Sequence, residues 1–375
     1  MTSHDPQEPR SFGVEEELLL VDPRGGAPQA ASGAVIRYAD EHGGGLPGGK
    51  EPLESELHRQ QVETGTEPAT SLADLADQVR RNRRAAALAA EGAGVAVAAL
   101  GTSPMPVQAA ITEKPRYRLM SAAYGPTADE QLTCACHVHV GVATPDEGVA
   151  VLDRIRPWLA PLLALTANSP FWQGHDTGYD SWRHEAWGRW PSSGPTEPFG
   201  TAKRYRAAVD ALLKTGALVD EGMIYFDARL SRRYPTVEIR VADICLHADD
   251  AVLLAALVRA LVDTAATAWR EGEPADPVRT DLLRLAMWRA ARSGLRGELL
   301  HPVTHEPAPA RAVLDALTGH LAPALERSGD LPDAERLLAA LLARGTGAAV
   351  QRAVYERAAD LRTVVAEAVE ITTAS

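Results

Sequence analysis

Carboxylate, imidazole and guanidinium side chains recur in this 375-residue chain inside segments that otherwise read as strands. FGVEEELLLVD (12–22) carries Glu15, Glu16 and Glu17 in a row, and ESELHRQQVE (54–63) carries Glu56 and Glu63. TCACHVHVG (133–141) supplies His137 and His139, and PTVEIRVAD (235–243) supplies Glu238 and Arg240. Acids are poor strand formers and costly to bury unpaired. Carboxylates with one or two imidazoles form a hard donor set suited to Mg²⁺ or Mn²⁺. Several acids crowded on one sheet repel unless divalent cations neutralise them.

Strand side chains alternate faces, which sorts these residues. Glu15 and Glu17 project together. Glu16 shares the opposite face with Val14 and Leu18, where a basic partner or solvent is expected. Cys134, Cys136, Val138 and Val140 take one face of their strand; His137 and His139 take the other. CACHVH is therefore a poor zinc site, since zinc needs converging ligands. The two cysteines read as small core residues. In the third strand Thr236, Glu238, Arg240 and Ala242 face one way, with Val237, Ile239 and Val241 opposite. Glu56 and Glu63 share a face in a helix and lie on opposite faces of a simple strand, so their spacing leaves the question open. Each feature has a bland counterpart: solvent-facing acids, a satisfied core histidine, or a Glu238–Arg240 surface pair worth under ~1 kcal/mol. The same polar-face, apolar-face division on several strands argues for one shared site.

The elements that must position these residues follow from pattern. TSLADLADQVRRNRRAAALAAEGAG (70–94) is an amphipathic helix with a Ser/Thr start and a glycine stop. VAVAALGTSP reads as a buried strand, LTCACHVHVGVA (132–143) as a strand, and about 146–167 as a helix. Residues 168–201 show no period, yet contain four tryptophans, which argues against disorder. MIYFDARLS and PTVEIRVAD read as strands. Helices then occupy about 248–271, 278–294, 308–326, 333–343 and 346–370. Strands early and helices late, without a βαβ rhythm, predict an α+β fold on an antiparallel sheet. Residues 1–10 read as disordered and EHGGGLPGGKEP (41–52) as a flexible loop.

A net charge of −12 argues against a nucleic-acid binder, which needs a basic field. Three cysteines make no disulfide framework. No apolar run is read as approaching the ~20 residues of a membrane helix, and no secretory pattern opens the chain. A cytoplasmic protein is expected.

FGVEEELLLVD, ESELHRQQVETGT, CHVHVGV, SPFWQGHDTGYDSWR and DARLSRRYPTVEIRVAD occur in an order that resembles glutamate–cysteine ligase family 2. These are carboxylate–amine ligases with a glutamine synthetase-like fold. The resemblance spans about residues 12–245 and implies a curved antiparallel sheet with helices on its outer face. It also implies a single ligase domain over 1–375, with the C-terminal part helical. ATP and Mg²⁺ (or Mn²⁺) are the implied cofactors; glutamate and an amine such as cysteine are the implied substrates. No nucleic-acid or membrane partner is implied, and a homo-oligomer is left open.

Carried onto this chain, the resemblance makes Glu15, His139 and Glu238 ligands of one metal ion beside the nucleotide phosphates. Glu17, Glu56 and Glu63 become ligands of another, nearer the substrate carboxylate. His137 matches the motif without a clear role. Arg240, Arg229 and Arg233 are the implied catalytic arginines, because their forked donors match phosphate and carboxylate oxygens. Arg183, Trp172 and Tyr179 belong to the tryptophan-rich loop, which is expected to line the acceptor and glutamate pocket; its alternative is a hydrophobic clamp at the sheet edge. Leu230 and Arg232 depart from the family, which often has proline and a non-basic residue there. Two other functions compete: an ATP-independent two-metal amide or peptide hydrolase, and a non-catalytic nucleotide or metabolite sensor.

Overall fold

The computed structural model describes residues 9–42 and 53–374. The disorder expected for 1–8 and the flexibility expected for 43–52 lie outside the described residues. In chain order the first part holds β1 (Phe12–Val21), α1 (Ser32–Glu41), β2 (Glu54–Ser55), β3 (Gln61–Gly65), α2 (Leu72–Gly92), β4 (Ala96–Ala98), α3 (Pro115–Tyr124), α4 (Pro126–Asp129) and β5 (Ala135–Gly141). Next come α5 (Pro145–Ile155), α6 (Leu159–Leu165), β6 (Phe171–Trp172), β7 (His175–Asp176), α7 (Trp182–Trp187), α8 (Ala202–Lys214), β8 (Ala228–Leu230) and β9 (Thr236–Asp243). The remainder is α9 (Ala248–Arg270), α10 (Thr280–Ser293), β10 (Glu298–Leu300), β11 (Pro307–Pro309), α11 (Ala310–Ser328), α12 (Leu331–Arg344), α13 (Gly347–Ala358) and α14 (Leu361–Thr373).

The main sheet runs β2–β3–β1–β5–β9–β8, with β4 also paired to β1, and every pairing is antiparallel. Val14, Cys136, Val138, Val140, Val237 and Ile239 are buried in one apolar cluster with residues of α2, α5, α6 and α9. Leu18 to Val21, at the other end of β1, join a second cluster with α1, β4 and α14. The α+β architecture with helices packed on one sheet face is as expected. Cys134 and Cys136 are buried free thiols within these clusters.

Several elements differ from expectation for identifiable reasons. The helix expected over 146–167 is interrupted at Arg156–Trp158, where Pro157 has no N–H to continue the ladder. The helix expected over 346–370 breaks at Ala359, which takes φ +53°, and Asp360 restarts it by accepting from the Arg362 N–H. The tryptophan-rich stretch contains the short β6–β7 hairpin and α7. Arg10, expected in a disordered tail, is buried: its Nη1 donates to Glu147 Oε1 at 2.7 Å and to Gly141 O at 2.9 Å. α9 is long and apolar enough to cross a membrane by length and composition, which the sequence reading missed. Its apolar stretch is mostly buried against the sheet and neighbouring helices, as a core helix is.

Glu16 has the basic partner expected of it. Arg83 of α2, fully buried, donates Nη2 to Glu16 Oε1 at 2.6 Å and Nε to Oε2 at 3.0 Å. Two further donors reach Leu246 O and Cys245 O. The pair fastens α2 to the underside of β1 and to the segment after β9. Replacing Glu16 by Ala strands a buried guanidinium, so we expect a loss of about 3–5 kcal/mol in denaturant unfolding. Turnover per folded molecule is expected to stay near the parent value, since Glu16 faces away from the site described next.

Candidate active site

Strand register aligns the polar residues in three successive rows across the sheet. The first joins Gly13, His139, Glu238 and Arg229 on β1, β5, β9 and β8. The second joins Gly65, Glu15 and His137. The third joins Glu54, Glu63 and Glu17. Two residues of strand separate consecutive rows, roughly 7 Å, so same-face side chains of neighbouring rows converge. They line a cleft of about 520 Å³, within the size range of small-molecule sites.

Two donor groups form on its floor. Ligand atoms of Glu15, His137 and Glu238 lie within 4.8 Å of one another, as do those of Glu17, Glu56 and Glu63. The second group answers the question left open by spacing. Residues 54–65 form neither a helix nor one strand; the chain turns between β2 and β3 and brings Glu56 and Glu63 to the same place. Thr112 pins that turn, donating its hydroxyl to Glu56 O and its N–H to Leu57 O. In the first group, His137 is the imidazole within 4.8 Å of both acids, whereas the resemblance implied His139. His139 stands beside it: its Nε2 is 3.3 Å from Glu15 Oε1, and its Nδ1 lies 3.0 Å from Thr236 Oγ1. His137 meets Glu15 through Nδ1, 3.6 Å from its Oε2, and keeps a buried Nε2 without a hydrogen-bond partner among the described residues.

The electrostatics of the two groups are opposite in sign. Burial raises the Glu15 carboxyl, but bonds from His137 and His139 outweigh it and hold it well below the usual range. Burial likewise raises Glu238, and the Arg240 and Arg229 guanidiniums overcome that. Arg229 grips Glu238 with Nε at 2.8 Å and Nη2 at 3.1 Å, while Arg240 Nη1 donates to its Oε1. His137 is pushed down to about 4 by burial and by Arg240, which leaves its imidazole neutral at neutral pH. Glu17 is pushed up to about 8 by burial and by the Glu56 charge, although the Ala135 N–H donates to it at 2.7 Å. Glu63 is raised for the same reasons. Three carboxylates this close need protons or a cation, and an all-oxygen set of this kind fits Mg²⁺ or Mn²⁺.

A β-bulge shapes the neighbouring wall. Cys136 pairs with Ala242 and Val138 with Ile239, so His137 alone faces both Arg240 and Val241. The expected alternation along β9 breaks there. Arg240 remains in the cleft, but Ala242, expected beside Glu238 and Arg240, is turned into the core opposite Cys136.

Glu15, Glu17, Glu56, Glu63, His139, Glu238, Arg229, Arg233 and Arg240 all line the cleft. Arg233 is exposed at its rim, in the turn between β8 and β9. Arg183, Trp172 and Tyr179 do not line it. Arg183 is buried beneath the floor, Trp172 lies in the β6–β7 hairpin, and Tyr179 packs on Trp182 and beneath Arg292 of α10. The tryptophan-rich stretch reaches the cleft instead through Trp187 and Trp190. Sequence reasoning also missed Lys114, Arg116, Tyr117 and Asp220. Arg116 donates to Asp220 at 2.6 and 3.0 Å across 104 positions of sequence, and neither sits in a recognisable motif.

The sequence profile of Glutamate-cysteine ligase family 2 (GCS2) matches residues 11–372. The chain belongs to that family. A putative glutamate–cysteine ligase 2-1 of Streptomyces avermitilis is 53% identical over 363 residues, covering 97% of this chain and 99% of the relative. A putative glutamate–cysteine ligase 2 of Streptomyces coelicolor is 52% identical over 369 residues, covering 98% and 100%. The fold is similar to the crystal structure of glutamate–cysteine ligase from Francisella tularensis in complex with AMP, with a TM-score of 0.66 at 14% identity. That likeness covers 98% of this chain and 89% of the other. It is also similar to a bifunctional glutathione synthetase from Pasteurella multocida, with a TM-score of 0.67 at 16% identity, covering 98% and 53%.

The raised carboxyls set a pH dependence. A folded-state value above the ordinary 4.5 favours the folded protein while the group is protonated, and that contribution fades as pH rises through about 8. Glu15 and Glu238 act oppositely, contributing above their unfolded value and losing it only on acidification. The buried His137, pushed down to about 4, adds stability as pH rises to its ordinary 6.5, so the carboxyls set the sign only above that: in EDTA the melting temperature is expected to fall as pH climbs from about 6.5 to about 8. Adding Mg²⁺ or Mn²⁺ at pH 8 is expected to restore it; coincident melts with and without the cation would count against a cation in the carboxylate cluster.

Proposed function

We propose that the cleft belongs to an ATP- and Mg²⁺-dependent ligase that joins the γ-carboxylate of glutamate to an amine such as cysteine. Family membership over residues 11–372 supports a ligase that makes a γ-glutamyl bond. The observation that carries the finer reading is the pair of donor groups, carboxylate–imidazole and all-carboxylate, side by side on one floor with arginines along one wall. Use of an adenine nucleotide is in keeping with a fold shared with a glutamate–cysteine ligase that was crystallised with AMP.

The residues fit that chemistry. A carboxylate is too poor an electrophile for an amine, so its oxygen first attacks the terminal phosphorus of ATP, giving an acyl phosphate and ADP. The amine then adds to the acyl carbon, and phosphate departs as the amide forms. Phosphoryl transfer of this kind asks for positioning and charge compensation more than for a covalent side chain. Glu15, Glu238, His137 and His139 would hold one Mg²⁺ ion, and Glu17, Glu56 and Glu63 another; when bound, such ions neutralise charge on phosphate and carboxylate oxygens. Arg240 and Arg229 hold Glu238 ionised and oriented. Arg233, exposed at the rim beside them, presents a free guanidinium to an incoming polyanion.

Glu15→Gln and Glu238→Gln are each expected to abolish ADP formation from ATP, glutamate and a mixed amine pool, with the circular dichroism spectrum unchanged. Near-parental ADP release in either variant would sink the ligand assignment. Metal-dependent cleavage of a γ-glutamyl amide to glutamate and free amine in the absence of ATP would favour the two-metal hydrolase instead. Full chelation is expected to stop turnover.

A further inference from the structure

Arg183 does not line the cleft, yet it is one of the most deeply buried large side chains in the protein and carries a full charge. Its Nη2 donates to Arg240 O at 3.3 Å and its Nη1 to Val241 O at 3.4 Å. Those are the two β9 residues that face His137 alone, so both contacts fall on the bulge itself. The bulge turns Ala242 into the core while Arg240 stays in the cleft. A bulge breaks the ladder locally and leaves carbonyls that need another donor. A forked guanidinium supplies two such donors from one rigid group.

Arg183 is in turn fixed from three sides. Asp243, fully buried two residues beyond the bulge, lies 3.9 Å from its Nη1. Asp243 also accepts from Ser181 Oγ at 2.8 Å, Ser169 Oγ at 2.7 Å and the Asn168 N–H at 2.8 Å, which ties it to the segment on either side of the β6–β7 hairpin. The Trp187 ring has the Arg183 guanidinium 5.7 Å from its centroid and that of Arg240 at 5.8 Å, so one indole packs on both arginines. The Arg183 backbone N–H, at the start of α7, donates to Ser169 Oγ at 2.9 Å.

We infer that Arg183 is a positioning residue: it holds the β9 bulge open and, through the carbonyls of Arg240 and Val241 and the shared face of Trp187, aims the Arg240 guanidinium at Glu238 and the reacting phosphate. Arg183 then acts on the reaction from behind the sheet, setting the angle of one arginine, while Trp187 and Trp190 of the same loop line the cleft itself. The phosphate in this inference rests on the proposed ligase reading; the contacts to the bulge do not.

The test is a double-mutant cycle on kcat with Arg183→Lys and Arg240→Lys. Lysine keeps a charge opposite Asp243 but loses the fork and the stacking plane. Misplacing a group that acts in the transition state by about 1 Å costs on the order of 100-fold, so Arg183→Lys is expected to lower kcat by about that factor. If Arg183 works through Arg240, its effect disappears once Arg240 is already lysine; losses that multiply, or a kcat within about twofold of the parent, would overturn the inference. Should Arg183→Lys fail to fold, Asp243→Asn, which preserves shape, takes its place in the cycle with the same two outcomes. A readout independent of activity is hydrogen exchange of the 237–243 amides, where the Arg240 N–H donates to Asp227 O at 2.9 Å. Exchange there is expected to quicken in Arg183→Lys while the amides of β1 and β3 stay protected; unchanged protection would overturn the inference. A parent protein that makes no ADP defeats the ligase reading alone, and the exchange experiment still decides on Arg183.

Discussion

Like charge crowded on one face of a sheet is the constraint from which this protein's architecture follows. Five glutamates and two histidines project from β1, β3, β5, β9 and the turn after β2 into a single cleft. An apolar core cannot hold such a set, and open solvent would leave its members too far apart to act together. The protein divides the burden by position. Toward β8 and β9, arginines and imidazoles compensate the acids and keep them ionised. Toward β2 and β3, three carboxylates stand together with their ionisation suppressed, where a divalent cation is the natural counter-charge.

The opposite face of the same strands explains how such a surface is tolerated. Val14, Val138, Val140, Val237 and Ile239 bury against α2, α5, α6 and α9, so each strand pairs one polar, strained face with one apolar, stabilising face. Glu16 and Arg83 are the exception that fastens the two sides together. A bidentate pair this deep needs further partners for its donors, and the Leu246 and Cys245 carbonyls take two more of them. The polar site and its support are thus built by the same handful of strands, which is why α2, distant in sequence from β9, is locked to the residues immediately after it.

A second layer of polar structure lies behind the sheet and has a different purpose. Arg183, Asp243, Ser169 and Ser181 form a buried group that meets the cleft through backbone carbonyls and an indole. Asp180 next to it binds Arg296 and Arg352, which ties the same loop to the segment after α10 and to α13. The helical C-terminal region carries no chemical motif, but by these contacts it braces the loop that braces Arg240.

The sequence by itself determined which faces of β1 and β5 are polar, because alternation along an extended chain is local geometry and needs no neighbour to be present. It determined that Glu15 and Glu17 project to the same face, that Glu16 needs a different partner, and that the cysteines of CACHVH belong to the core. Its five ordered motifs were enough to point to the family. What lay beyond it depends on contacts between distant segments. The turn that brings Glu56 to Glu63 is held by Thr112, and the Arg116–Asp220 bridge spans 104 residues. The choice between His137 and His139, and the exile of Ala242 to the core, depend on a bulge that exists only where β9 meets β5. Arg183 carried a family motif and so was read as touching substrate. Only the packed structure distinguishes a residue that lines a cleft from one that holds its wall, because burial and strand register belong to the assembled sheet and to no single strand.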